Sequence, residues 1–241
     1  MLKFVRGCVG LVALCFVLPG TLVGCSEQSR NFEAVKRMAE QGDAKAQTEL
    51  GSMYAQAQGV ALNDAEAVKW FQKAAEQGDA EAQFFLGVRY SGGYGIAQND
   101  AEAVKWIRLA AEQGNAKAQT ELGEMYLRGK NGITEDNTEA EKWTRLAAEQ
   151  GNMYAQVSLG QTYRDPEAVK WYRLAAEQGY GHAQALLGLV YEGGHEAGFS
   201  VARDYAEAAK WYQKAIEQGD DRVKHDLERV LAKMAVDTED Q

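Results

Sequence analysis

Residues 66–83 read EAVKWFQKAAEQGDAEAQ, and residues 102–119 read EAVKWIRLAAEQGNAKAQ. Nearly the same eighteen letters recur thirty-six positions apart. An active site is normally built once, whereas a stacked structural unit must repeat, because each unit buries its apolar face only against the next. Moving outward, Ala/Ile-Glu-Gln-Gly ends at Gly42, Gly78, Gly114, Gly151, Gly179 and Gly219, with spacings of 36, 36, 37, 28 and 40. Tryptophans keep step at 70, 106, 143, 171 and 211.

Each unit holds two helical patterns. In the first, Ala46, Leu50 and Tyr54 fall at i, i+4 and i+8, one face of a helix. The same face returns as Ala82-Leu86-Tyr90, Ala118-Leu122-Tyr126, Ala155-Leu159-Tyr163 and Ala183-Leu187-Tyr191. Asp43, Asp79, Asn115 and Asn152 precede it as N-caps, whose side-chain oxygens take unpaired amides of the first turn. A glycine follows every leucine (Gly51, Gly87, Gly123, Gly160, Gly188). Glycine inside a helix costs about 1 kcal/mol against alanine, so its recurrence predicts another backbone passing close by. The second pattern sets a large tryptophan between small alanines, as in Ala67-Trp70-Ala74, and ends at the glycine of Glu-Gln-Gly.

The running pattern A-Q-x-x-L-G-x-x-Y, a glycine-containing loop, then E-A-x-K-W-x-x-x-A-A-E-Q-G resembles the Sel1-like repeat, a relative of the tetratricopeptide repeat. The resemblance covers roughly residues 32 to 219. It implies an all-α, right-handed superhelical solenoid of antiparallel helix pairs: about five repeats plus capping helices, over 32–235. Two departures stand out. Tyrosine to tryptophan spans 16 residues in the first two copies but only 8 in the fourth, where Arg164-Asp165-Pro166 replaces the loop and Pro166 is expected in the first turn of the following helix. The fifth copy stretches to 20 through Glu192–Gly198. The half unit at 31–42 and the charged stretch 220–235 read as end caps, and 236–241 as a frayed, disordered tail.

The N-terminus follows other rules. Lys3 and Arg6 precede an apolar run from Cys8 to Leu18, broken by Pro19-Gly20, the layout of a secretory signal. Leu22-Val23-Gly24-Cys25 resembles a bacterial lipobox, which implies removal of 1–24, lipidation of Cys25, and a short lipidated linker over 25–31. Loss of Lys3 and Arg6 would take the formal charge from −9 to −11. Acyl chains, at about 0.8 kcal/mol per buried methylene, would then anchor the chain. Ser26 rather than Asp implies, by resemblance to enterobacterial sorting, the outer membrane facing the periplasm. A net charge of −9 argues against nucleic acid as a partner and favours a basic one.

Chemistry is hard to find. Cysteine-rich members of the family have been described as β-lactamases, yet no serine here begins Ser-x-x-Lys, and neither Ser-Asp-Asn nor Lys-Thr-Gly occurs. A β-lactamase-like hydrolase is therefore the least favoured reading, and no catalytic residue is assigned. The histidines (His182, His195, His225) lack metal-ligand spacing. Glu192, His195 and Glu196 cluster in the long fifth loop, where an ordinary solvated loop is the simpler reading. Gly92-Gly93-Tyr94-Gly95 lacks the lysine of a phosphate-binding loop. Neither a metal site nor a cofactor is expected.

Surface remains. The resemblance implies that the first helix of each pair lines the concave side, where positions that differ between copies can encode recognition. Phe84, Phe85, Val88, Arg89, Met125, Val157, Leu186 and Leu189 are the candidates for contact with a protein or peptide partner. Phe85 and Leu186 stand where other copies carry Glu49, Glu121 or Ser158. The expectation is a lipid-anchored, non-enzymatic scaffold or adaptor of the cell envelope. The alternative is a periplasmic immunity protein against a lipase-type effector of type VI secretion.

Overall fold

The computed structural model describes residues 21–162 and 166–239. Among the described residues there are twelve α-helices and no strand. They are α1 (Thr21–Glu40), α2 (Ala44–Gln56), α3 (Asp64–Glu76), α4 (Ala80–Gly92), α5 (Asp100–Glu112), α6 (Ala116–Arg128), α7 (Asn137–Glu149), α8 (Met153–Thr162), α9 (Glu167–Glu177), α10 (Gly181–Gly193), α11 (Tyr205–Glu217) and α12 (Lys224–Glu239). The five pairs α2/α3, α4/α5, α6/α7, α8/α9 and α10/α11 stack between α1 and α12, and each helix packs chiefly on its neighbours along the chain. This is the expected all-α solenoid of antiparallel helix pairs.

Local chemistry sets the helix ends. Asp43, Asp79 and Asn115 accept from the amides of Ala46, Ala82 and Ala118 at 2.7, 2.8 and 3.0 Å, and Asn152 accepts from Ala155 at 3.1 Å. The second helices carry caps of their own, Asn63, Asn99, Asp136 and Asp204, which the sequence reading did not single out. The six glycines that end Glu-Gln-Gly have φ between +85° and +97°. A side chain there would meet no atom within 4 Å, so backbone conformation rather than space selects glycine.

The core runs along the stack. Trp70 lies with Phe32, Val35 and Ala39 of α1 and with Leu50 and Met53 of α2. Trp143, Trp171 and Trp211 are buried in the same way, while Trp106 is only half-buried. The Trp106 and Trp143 N–H groups donate to Glu102 and Glu139 one turn earlier, at 2.9 and 3.0 Å.

A second ladder is polar. Gln47, Gln83, Gln119, Gln156 and Gln184 are buried, and each donates its side-chain amide to a carbonyl eight residues earlier, from Ala39 to Ala176. The first four also accept from Gln77, Gln113, Gln150 and Gln178 at 2.7–2.9 Å. The glutamines of A-Q and E-Q-G thus bond across each pair and tie it to the pair before.

Three expectations change. Residues 25–31, expected as a linker, are helical within α1, and 236–239, expected as a frayed tail, continue α12. No proline interrupts either stretch, so the helix propagates. Residues 240–241 and the signal residues 1–20 lie outside the described residues. In the fourth repeat, α8 ends at Thr162 and Pro166 occupies the N-cap of α9 rather than its first turn; Tyr163, Arg164 and Asp165 lie outside the described residues. Both helices of that pair persist with the loop shortened.

Candidate partner-binding face

In each pair the first helix contributes core residues at fixed positions and a variable strip between them. Aligned through Ala46, Ala82, Ala118, Ala155 and Ala183, one strip reads Glu49, Phe85, Glu121, Ser158, Leu186. The next reads Ser52, Val88, Glu124, Gln161, Leu189. The first helix also ties neighbouring segments together: Arg89 of α4 pairs with Asp64 at the start of α3 at 2.6 Å, and Asn131, in the loop after α6, donates to Ser91 of α4 at 3.0 Å.

The structure divides the candidates. Met125 and Val157 are buried, 1% and 6% exposed, so they belong to the interior and are corrected as contact residues. They fall at the crowded side of α6 and α8, where neighbouring helices close over them. Phe84 is half-buried and reaches the core around Leu122. Phe85 stacks on Phe71 with ring centroids 5.0 Å apart, and Leu186 packs against the core around Leu187. Arg89 is held by Asp64. Val88 is half-buried, and Leu189 is 45% exposed. The available apolar surface among these residues is therefore centred on Val88 and Leu189, with Phe85 and Leu186 as partly covered supports.

Sequence reading missed a cluster beside them. Tyr154 is 61% exposed and meets Tyr180 edge-on at 5.1 Å, and Tyr180 in turn contacts His182 at 6.0 Å. The available signal was Tyr180, an aromatic where earlier copies carry Asp or Asn.

The polar cluster of the fifth loop serves the fold. Glu192 accepts from Arg229 of α12 at 2.7 and 2.8 Å and from the Tyr212 hydroxyl at 2.9 Å. The hydrogen bonds from Arg229 lead in holding the Glu192 carboxyl below its ordinary value. Burial, then Glu192, pushes the Tyr212 hydroxyl up. Glu196 pairs with Arg203 at 2.6 Å, and the His195 Nδ1 meets the Phe199 carbonyl at 3.0 Å. These side chains are engaged with one another's helices and loops. Among the described residues no group of three His, Cys, Asp or Glu could hold a metal ion, and no helix is long and apolar enough to cross a membrane.

Comparison with known proteins places this architecture. The Sel1 repeat model matches residues 44–79, 80–115, 116–152, 155–180 and 181–220. A Sel1 repeat protein from Oxalobacter formigenes is 35% identical with a TM-score of 0.70, over 83% of this chain and 81% of that one. The protective antigen c5321 of uropathogenic Escherichia coli, described as having an SLR fold, is 33% identical with a TM-score of 0.69 over 86% of this chain; the chain spans 45% of its length. The immunity protein Pa5087 from Pseudomonas aeruginosa shares the fold at 20% identity and a TM-score of 0.58, over 86% of this chain and 85% of that one. No curated protein matches the sequence. Five matched repeats, stacked as helix pairs on one continuous core, make this chain a member of the Sel1 repeat family.

Proposed function

We propose that the protein is a non-enzymatic scaffold that holds a protein or peptide partner against its first-helix face, the concave side of the superhelix. One observation carries this reading. The buried Ala, Gln and Leu rows of the first helix keep the same residue in every repeat, while the neighbouring strip reads Glu49, Phe85, Glu121, Ser158, Leu186. Phe85 and Leu186 lean on the core, yet the stack demands no one residue type at these positions, so the strip is free to encode a partner. The net charge of −9 favours a basic partner through long-range attraction.

The test is co-purification with the wild-type chain and with Val88→Glu/Leu189→Glu, both checked for helicity by circular dichroism. Phe85→Glu is a poorer probe, because loss of its stacking on Phe71 would also weaken the fold. The expected outcome is a specific partner retained by the wild type and lost by the double variant. Equal recovery by a folded double variant would remove the assignment of this face.

We also propose anchoring through a lipidated Cys25 at the outer membrane, facing the periplasm, on the basis of Lys3, Arg6, the apolar run to Leu18 and Leu22–Cys25. An immunity role is a second reading, supported by the shared fold of Pa5087 and PA5088, both described as immunity proteins of Pseudomonas aeruginosa. An effector gene beside this one, and rescue from that effector by this chain, would favour it over the scaffold reading.

A further inference from the structure

The second helices carry a row of their own. The third residue after each tryptophan is Lys73, Leu109, Leu146, Leu174 and Lys214, from the first repeat to the fifth. The three leucines are 38%, 40% and 38% exposed. A single exposed leucine is ordinary, but these occupy one helix position in three consecutive repeats. The stack does not require them. Lys73 lies over the Trp70 ring at 4.1 Å and Lys214 over the Trp211 ring at 4.3 Å, so a lysine serves at this position in the end repeats.

The residue before each leucine reaches across to the next repeat. Arg108 donates to the Tyr126 hydroxyl at 2.9 Å, Arg145 pairs with Glu167 at 3.4 Å, and Arg173 donates to the Tyr191 hydroxyl at 2.6 Å. The first and fifth repeats carry Gln72 and Gln213 there. Arginine and leucine therefore change together, and only in the three inner repeats.

Charge flanks the leucines in a fixed order. One turn before each stands a lysine (Lys105, Lys142, Lys170), and about one turn after each a glutamate (Glu112, Glu149, Glu177), all exposed. These three glutamates make no hydrogen bond or ion pair among the described residues. Lys105 and Lys142 each hold a glutamate of their own helix, Glu102 at 3.0 Å and Glu139 at 2.9 Å. Such surface pairs contribute little and leave each ammonium further protons to donate. Along every inner second helix the surface thus reads cation, leucine, anion.

That order is complementary to itself turned end for end. We propose that this face docks a second copy of the chain. With second helices antiparallel and each inner repeat set against its own counterpart, leucine meets leucine and every lysine faces a glutamate of the other copy. The contact is two-fold and self-complementary. A parallel arrangement would set lysine on lysine and glutamate on glutamate, so charge selects the antiparallel one. Lys73 and Lys214 bound the apolar stretch at its two ends. The dimer leaves the first-helix strip open and does not depend on what that strip binds.

The test is sedimentation equilibrium of the full chain in a density-matched detergent, at concentrations up to about 100 μM. The wild type should be a dimer. Leu109→Lys/Leu146→Lys/Leu174→Lys, which installs the residue of the end repeats, should be a monomer with unchanged circular dichroism. A second arm uses the central repeat: Lys142→Glu and Glu149→Lys should each weaken the dimer about tenfold. The double swap should restore it, because opposite charges face one another again. A monomeric wild type, a triple variant that dimerises equally well, or a double swap no tighter than either single variant would overturn the proposal.

Discussion

The ring of Phe71 lies against the α-carbon of Gly51, so closely that a β-carbon there would stand 2.7 Å from two ring atoms. The same contact recurs as Ile107 at Gly87 and Thr144 at Gly123, each 2.5 Å from the would-be β-carbon, and as the rings of Tyr172 and Tyr212 at Gly160 and Gly188. The residue after each tryptophan is what fills the space. The carbonyls of Ala67, Ala103 and Ala140 follow at 3.1–3.2 Å, so the backbone approach read from sequence is present but second in closeness. Gly51→Ala should therefore destabilise the chain by about 1–3 kcal/mol despite its better helix propensity. Urea denaturation of the two proteins measures this; a more stable variant would show that Phe71 moves aside freely.

The glutamine ladder makes a prediction with an internal control. Gln83→Leu removes the donor to the Ala75 carbonyl and the acceptor for Gln113. Its side chain is 4% exposed, so the orphaned carbonyl gains little water, and the expected loss is about 1–3 kcal/mol. Gln113→Ala breaks only the outer bond of an exposed residue and should cost under about 1 kcal/mol. Equal costs for the two, by chemical denaturation, would mean the ladder has no buried half.

The C-terminal cap should be acid-sensitive. Glu192 is 10% exposed and Arg229 38% exposed, and their hydrogen bonds keep the carboxyl below its ordinary value of 4.5. A carboxyl lowered on folding contributes stability above its unfolded value and loses it as pH falls through the folded one. Glu192→Gln should cost about 1–3 kcal/mol at pH 7. The gap between wild type and variant should close progressively as pH falls below 4.5. Unfolding measured at a series of pH values checks this, and a gap that widens in acid would reverse the assignment.

Cys25→Ser tests the anchor. If Cys25 carries the lipid, the variant leaves the membrane fraction of expressing cells and the wild type stays in it. The same distribution for both would exclude lipidation at this residue.

Much of the architecture was legible in the residues. The tryptophan and glycine periods gave the repeat, the Asp and Asn caps gave four helix starts, and the apolar i, i+4, i+8 rows gave the buried sides. The candidate face was less legible. Met125 and Val157 were read as available, yet they are buried. Phe85 and Leu186 were read as exposed exceptions, yet they lean on Phe71 and on the core near Leu187. Helical spacing says which residues share a side, but exposure depends on how far the next helix covers it.

By itself the sequence determined the helix pairs, their number and their order, because capping, helix termination and apolar periodicity act over a few neighbouring residues. Only the tertiary structure decided which variable positions stay open, which glutamines bond across a pair, and that Tyr154 and Tyr180 meet. The glutamine and tyrosine contacts join residues 22 to 31 positions apart, and distance in the chain says nothing about the angle at which two helices pack.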